Sequence, residues 1–136
     1  MDKHLKGIIS FNGYKIKSID FKINDDYKNE FKGIDTDFDF KVNAGIDSDG
    51  KNVVITVESI IFKDYKNKNK PFYLDIITEG YFSFECTKEE FESNRLIKNS
   101  LSILFPYIRS SVTNITTTCG FSPLILPTIN INEFVK

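Results

Sequence analysis

Around residue 87 the spacing of apolar side chains in this chain changes, and nothing else in the sequence limits its fold as much. Before that point apolar residues recur at every second position; after it they recur every three or four. Period two marks one face of a strand, and a period between three and four marks one stripe of a helix. Strands followed by a single long helix can bury both apolar surfaces together by laying the helix on the sheet.

The strand half has four segments, read as about 8–23, 36–46, 52–62 and 72–86. Phe38, Phe40, Val42, Ala44 and Ile46 alternate with Asp37, Asp39, Lys41, Asn43 and Gly45, which predicts a half-buried strand. Asp47-Ser48-Asp49-Gly50 supplies turn chemistry, and Val53 to Val57 resumes as a β-branched strand. From Phe72 to Phe84 the alternation is sustained. In the first strand the parity slips between Ile16 and Ile19, which predicts a bulge near Lys17-Ser18. Short connections make strands two to four antiparallel neighbours. Asn24 to Asp35 is long enough to cross over the sheet instead.

A helix is predicted over about 88–119. Thr87-Lys88-Glu89-Glu90 fits a capping box, and Ile97, Leu101, Leu104, Phe105, Ile108, Val112 and Ile115 form one stripe. Pro106 should kink it. Thr116-Thr117-Thr118 is poor helix material and competes as a strand, whereas Gly120 suits a C-terminal cap. Residues 121–134 read as an extended, apolar segment. The fold class is therefore α+β in one domain, 1–136: a four-stranded antiparallel sheet with a crossover after strand one, packed against one long kinked helix.

Composition excludes several functions. Lys and Arg number 18 against 19 Asp and Glu, so the basic surplus of a general nucleic-acid binder is missing. Apolar runs fall far short of the roughly 20 residues that cross a bilayer, and Met-Asp-Lys-His-Leu-Lys does not open a signal peptide. A cytoplasmic protein without membrane insertion is expected. Charge is uneven: residues 1–94 carry 14 basic and 18 acidic groups, while 95–136 carry four basic groups and one acid. Thirteen Phe and six Tyr are more sticky surface than a small core needs, and some of it is expected to face a partner.

Catalytic chemistry is not expected. Gly45 to Asn52 comes within one residue of a phosphate-binding loop, but Asn52 replaces the metal-binding hydroxyl and two aspartates would repel phosphate. Asp35, Asp37 and Asp39 resemble the start of a calcium loop, but Phe40 stands where that loop needs Gly. His4 is the single histidine and reads as a frayed terminal residue. Cys86 and Cys119 read as small, largely buried groups. No cofactor, metal or catalytic residue is assigned.

Leu104-Phe105-Pro106-Tyr107-Ile108-Arg109, then Gly120-Phe121-Ser122-Pro123-Leu124-Ile125-Leu126, then Thr128-Ile129-Asn130-Ile131, resembles the bacterial export chaperone family SecB. Glu79-Gly80-Tyr81-Phe82 and Ile19-Asp20-Phe21 match in order and spacing, so the resemblance spans about residues 18–134. It implies the same fold, assembly as a tetramer (a dimer of dimers), and nucleotide-free holding of non-native polypeptides in apolar grooves. Unfolded chains are recognised by apolar surface and strand edges rather than by a sequence code. On this resemblance Tyr27, Phe31, Ile34, Leu124, Ile125 and Leu126 are expected to line the client groove. Leu104, Phe105, Tyr107, Ile108 and Val112 are expected in the helix core or oligomer interface. Asp75 matches an acidic partner-docking position, while Ser18 and Lys22 stand where the family has acids. Arg109 either pairs with Asp75 or Glu79 or is solvated.

Family members continue into a second helix and a tail that engages the export motor ATPase, whereas this sequence ends at Lys136. A short member without that tail is expected. Its partners are expected to be unfolded or precursor proteins, the export motor or an antitoxin. The alternatives to a general holdase are a dedicated module for one partner, such as the antitoxin of a toxin–antitoxin pair, and a small-molecule binding domain.

Overall fold

A computed structural model describes residues 8–33, 35, 37–47, 51–85 and 95–131. It contains strands β1 (Ile8–Ile23), β2 (Phe38–Ile46), β3 (Asn52–Ile61) and β4 (Phe72–Glu85), followed by helix α1 (Arg95–Thr118). The strands form one antiparallel sheet in the order β1-β4-β3-β2. β4, with the longest apolar alternation, and the β-branched β3 therefore lie in the middle, and the crossover runs from one edge to the other. The capping box and Cys86 lie outside the described residues.

One face of the sheet is dry. Val53, Ile55, Val57 and Ile61 of β3 and Phe72, Leu74, Ile76, Phe82 and Phe84 of β4 are at most 2 % exposed. Leu96, Leu101, Leu104, Ile108 and Val112 of α1 meet them, also at most 2 % exposed. Each such side chain contributes about 1.5–3 kcal/mol relative to exposure. Gly80 lets the helix close on β4: a Cβ there would lie 2.9 Å from Leu104 Cδ2.

The parity slip in β1 is a bulge. Ile16 faces Thr78 and Ser18 faces Ile77, leaving Lys17 as the extra residue. A second register shift lies between Phe11 and Tyr14, at Gly13 with φ +113°. The helix runs unbroken through Pro106, on a turn whose Ser102 and Pro106 face water. It also runs through Thr116 to Thr118, because those hydroxyls bond carbonyls four residues back at 2.8–3.0 Å. It ends in a Schellman turn: Gly120 N–H donates to Thr117 O, Phe121 N–H donates to Thr116 O, and Gly120 has φ +96°.

Candidate polypeptide-binding surface

Two segments without regular structure, the crossover after β1 and the strap after α1, meet at one end of the dry face. The crossover is fixed by Asn24, which is buried. Its backbone N–H donates to Pro71 O at 2.9 Å, and its side-chain amide donates to Lys70 O at 2.9 Å and Tyr65 O at 3.4 Å. Its Oδ1 accepts the Asp26 N–H. Further along, Asp35 pairs with Lys70 at 2.8 Å, both side chains about a quarter exposed.

The strap is tied to the helix by side chains that bond its carbonyls and amides. Arg109 Nε donates to Leu126 O at 3.1 Å and Thr113 Oγ1 to Leu124 O at 2.8 Å. Thr116 Oγ1 accepts the Leu124 N–H at 2.9 Å. Arg109 thus holds the strap through its Nε, and the structure gives it neither Asp75 nor Glu79. Ile125 N–H donates to Gly33 O, joining strap to crossover. Gly33 has φ +81°, and a Cβ on it would lie 2.5 Å from Pro123 O, so the joint requires glycine.

The expected groove residues divide. Leu124 and Leu126 are buried in the core, because their bonded backbone points both side chains at Val112 and the sheet. The expectation that they face a client is corrected. Ile125 between them is 59 % exposed. Phe31 is half-buried, edge-on to Phe62, Phe72 and Phe121 at ring distances of 5.6–6.5 Å. Tyr27 is half-buried, its N–H turned back to Asn24 O. Ile34 lies outside the described residues.

The helix set divides as well. Leu104, Ile108 and Val112 are fully buried within their own chain, so they serve the core and offer nothing to another copy. Phe105 is half-buried against Phe40 at 5.2 Å. Tyr107 is 41 % exposed and packs on Phe11 and Tyr14 of β1. Sequence reading missed the stripe Tyr14, Ile19 and Ile23, which face Gly80, Ile76 and Phe72 of β4 and so lie on the helix side, yet stay exposed. The odd parity of Ile19, Phe21 and Ile23 was its signal. Phe121, which joins Phe21, Phe31 and Phe72, was also missed.

On the opposite, wet face Asp75 stands beside Asp20 of β1 and Ile60 of β3 in register. Its Oδ1 is buried without a donor among the described residues, and Tyr73 reaches Oδ2 at 3.4 Å. Burial first, then Glu58 across the strands, pushes its pKa up to about 6. Tyr73 is raised by burial, then by Asp75.

Among the described residues no group of His, Cys, Asp and Glu is placed to hold a metal, and no helix is long and apolar enough to cross a membrane. A shallow dimple of about 10 Å³ lined by Phe40, Val42, Val57, Leu101, Phe105 and Ile131 is too small for an organic ligand. What this end of the molecule offers is apolar surface and backbone, the chemistry that meets another polypeptide.

The comparisons agree with that class. The family model for the preprotein translocase subunit SecB matches residues 13–135. The chain belongs to the SecB family. It is 31% identical over 139 residues to an uncharacterised protein of Methanocaldococcus jannaschii, covering 96% of this chain and 84% of that one. It is 34% identical over 86 residues to the protein-export protein SecB of Anaplasma phagocytophilum, covering 60% of this chain and 51% of that one. The fold is similar to a SecB-like chaperone of Mycobacterium tuberculosis solved with a ChAD peptide from the HigA1 antitoxin: TM-score 0.68, 15% identity, 89% and 90% covered. A Streptococcus agalactiae protein of unknown function shares it at TM-score 0.63 and 13% identity, with 90% and 98% covered.

Proposed function

We propose that the protein is a nucleotide-independent holdase that binds non-native polypeptides on apolar surface at the seam of crossover and strap, for export or for handover to a partner. The observation that carries this reading is the SecB family match over residues 13–135, joined to an exposed Ile125 held at that seam. Ile125, Phe31 and Tyr27 are the residues assigned to client contact. The working form is a homo-oligomer, a tetramer in the family's manner, in the cytoplasm; the exposed stripe of Tyr14, Ile19, Ile23 and Tyr107 is assigned to contact between copies. Asp75 is the candidate docking acid for an export motor.

Purified protein at stoichiometric excess should suppress aggregation of an unrelated unfolded protein without ATP. Absence of suppression would sink the reading. A second reading, dedicated service to an antitoxin, is favoured by the structural neighbour bound to an antitoxin peptide. It predicts one dominant partner in a pull-down and little general holding activity.

A further inference from the structure

One residue pair takes no part in the surfaces described so far. Asn12-Gly13 is the one place in the chain where glycine follows asparagine. In that order the asparagine carboxamide meets the least hindered main-chain amide a protein offers, because the next residue has no side chain to shield its nitrogen.

An intact ladder would hold such a pair still, but the ladder gives way at these two residues. Phe11 faces Phe82 and Tyr14 faces Gly80, so Asn12 and Gly13 together stand opposite Tyr81 alone. A residue left over at a bulge is released from regular pairing. Gly13 has φ +113°, and a Cβ built on it would meet nothing within 4 Å. Asn12 is exposed, and among the described residues its side chain is tied by a single exposed bond, Nδ2 to Ser83 Oγ at 2.8 Å. By contrast Asn43 and Asn52 of the same sheet are paired in register with Thr56 and Ser83, and Ala44 and Val53 follow them.

We propose that Asn12-Gly13 is a site of self-modification, at which the folded chain converts Asn12 to isoaspartate and aspartate. The Gly13 nitrogen attacks Asn12 Cγ. The N–Cγ bond forms, the Cγ–Nδ2 bond breaks, and the Gly13 amide proton leaves with Nδ2 as ammonia. Water then adds to one of the two carbonyl carbons of the resulting five-membered imide. Breaking the bond from the Gly13 nitrogen to the main-chain carbon leaves the chain running through Cγ, which is isoaspartate; breaking its bond to Cγ leaves aspartate. No oxidant or metal enters.

Both products carry a new carboxylate and lack the Nδ2 donor. Asn12 is one end of a polar chain along the wet face: Ser83 Oγ donates to Asn52 Oδ1 at 3.1 Å, and Asn52 Nδ2 donates to Asp47 Oδ2 at 2.8 Å. A carboxylate only accepts, so it draws the Ser83 hydroxyl toward itself and away from Asn52. Isoaspartate also lengthens the main chain just before Tyr14, whose ring packs on Tyr107 at 5.0 Å. Tyr14 belongs to the stripe assigned above to contact between copies, so modification weakens assembly; this last step rests on that assignment.

The test is to age the purified full chain in warm, mildly alkaline buffer, folded and in urea, and to map the products by peptide mass. In the folded chain Asn12 should show the mass change of an amide turned acid at least tenfold faster than Asn43 or Asn52. The same peptide should accept a methyl group from an isoaspartyl methyltransferase. Asp49-Gly50 forms the same kind of imide by losing water, so its hydrolysis restores the starting mass and cannot be mistaken for the signal. Reaction at Asn12 no faster than at those two residues, or a hundredfold slower folded than in urea, overturns the proposal. Asn12→Gln, whose longer side chain closes the ring poorly, should abolish the signal with unchanged circular dichroism; a signal that persists at that peptide also overturns it. The modified fraction, separated by its added negative charge, should show a lower native mass by light scattering than fresh protein. An equal mass overturns the link to assembly and keeps the modification. A fresh chain that is already monomeric overturns the assignment of the stripe and that link with it, while the peptide masses still decide on the site.

Discussion

Gly80 leaves room for Leu104 of the helix against the sheet, and a single methyl there tests how tightly the two are joined. The added carbon would lie 2.9 Å from Leu104 Cδ2 and 2.9 Å from Phe82 Cε1, both on fully buried side chains. Neither can swing into solvent, so Gly80→Ala should destabilise by about 1–3 kcal/mol, read as a lower urea midpoint at unchanged slope. Asp75 tests the wet face. Its pKa is raised from 3.8 to about 6, so between those values the folded protein keeps a proton that the unfolded chain has released. Stability from this group is therefore fully present below about pH 4 and lost as pH rises through about 6. Asp75→Asn should flatten that stretch of the stability profile and raise stability at neutral pH, as measured by urea unfolding at pH 4.5 and 7. A profile as steep as that of the parent protein would show that Asp75 does not hold the proton.

At the scale of elements, one of the bonds that tie the strap to the helix can be tested by itself. Thr116 Oγ1 accepts the Leu124 N–H at 2.9 Å and lies 3.0 Å from the carbonyls of Val112 and Thr113, either of which can take its proton. Thr116→Val keeps the shape and leaves the Leu124 N–H buried without an acceptor, a cost of about 1–3 kcal/mol. The expected outcome is a lower melting temperature together with faster exchange of the Leu124 amide; a slow Leu124 amide would mean that the Thr116 bond does not hold the strap and that its other bonds and its leucines do. The elements themselves were legible from the sequence. Strand parity gave the inner faces of β2 and β4, and the slip at Lys17 gave the bulge. Thr116 to Thr118 stayed ambiguous because threonine favours strands until its hydroxyl finds a carbonyl four residues back, and propensity does not contain that bond. In Leu124-Ile125-Leu126 three apolar residues between two prolines do not say which side faces inward; distant groups decide it, namely Arg109, Thr113 and Gly33. Asn24 was invisible for the same reason, since its partners are main-chain carbonyls more than forty residues away.

For the whole molecule, the open question is what covers the helix side of β1. Ile19 and Ile23 are 50% and 52% exposed, although their cross-strand partners Ile76 and Phe72 are fully buried. The gradient arises because α1 is a single rod: it meets β1 where Tyr107 packs on Phe11 and Tyr14, and leaves Ile19 and Ile23, further along that strand, open. A row of apolar side chains on the same face, bordered by the exposed Tyr107, is what a contact between copies requires. Such contact would also bring several client surfaces into one particle, so that weak holding at each becomes strong holding of a long chain. Ile19→Glu with Ile23→Glu separates the two roles of this face. Both side chains are already half in water, so the folded chain should keep its circular dichroism and lose little stability. The native mass by light scattering should fall to that of a smaller assembly, and the concentration needed to suppress aggregation should rise several-fold as multivalency is lost. An unchanged mass would place the contact between copies elsewhere, and unchanged suppression at reduced mass would mean that each chain holds its client alone.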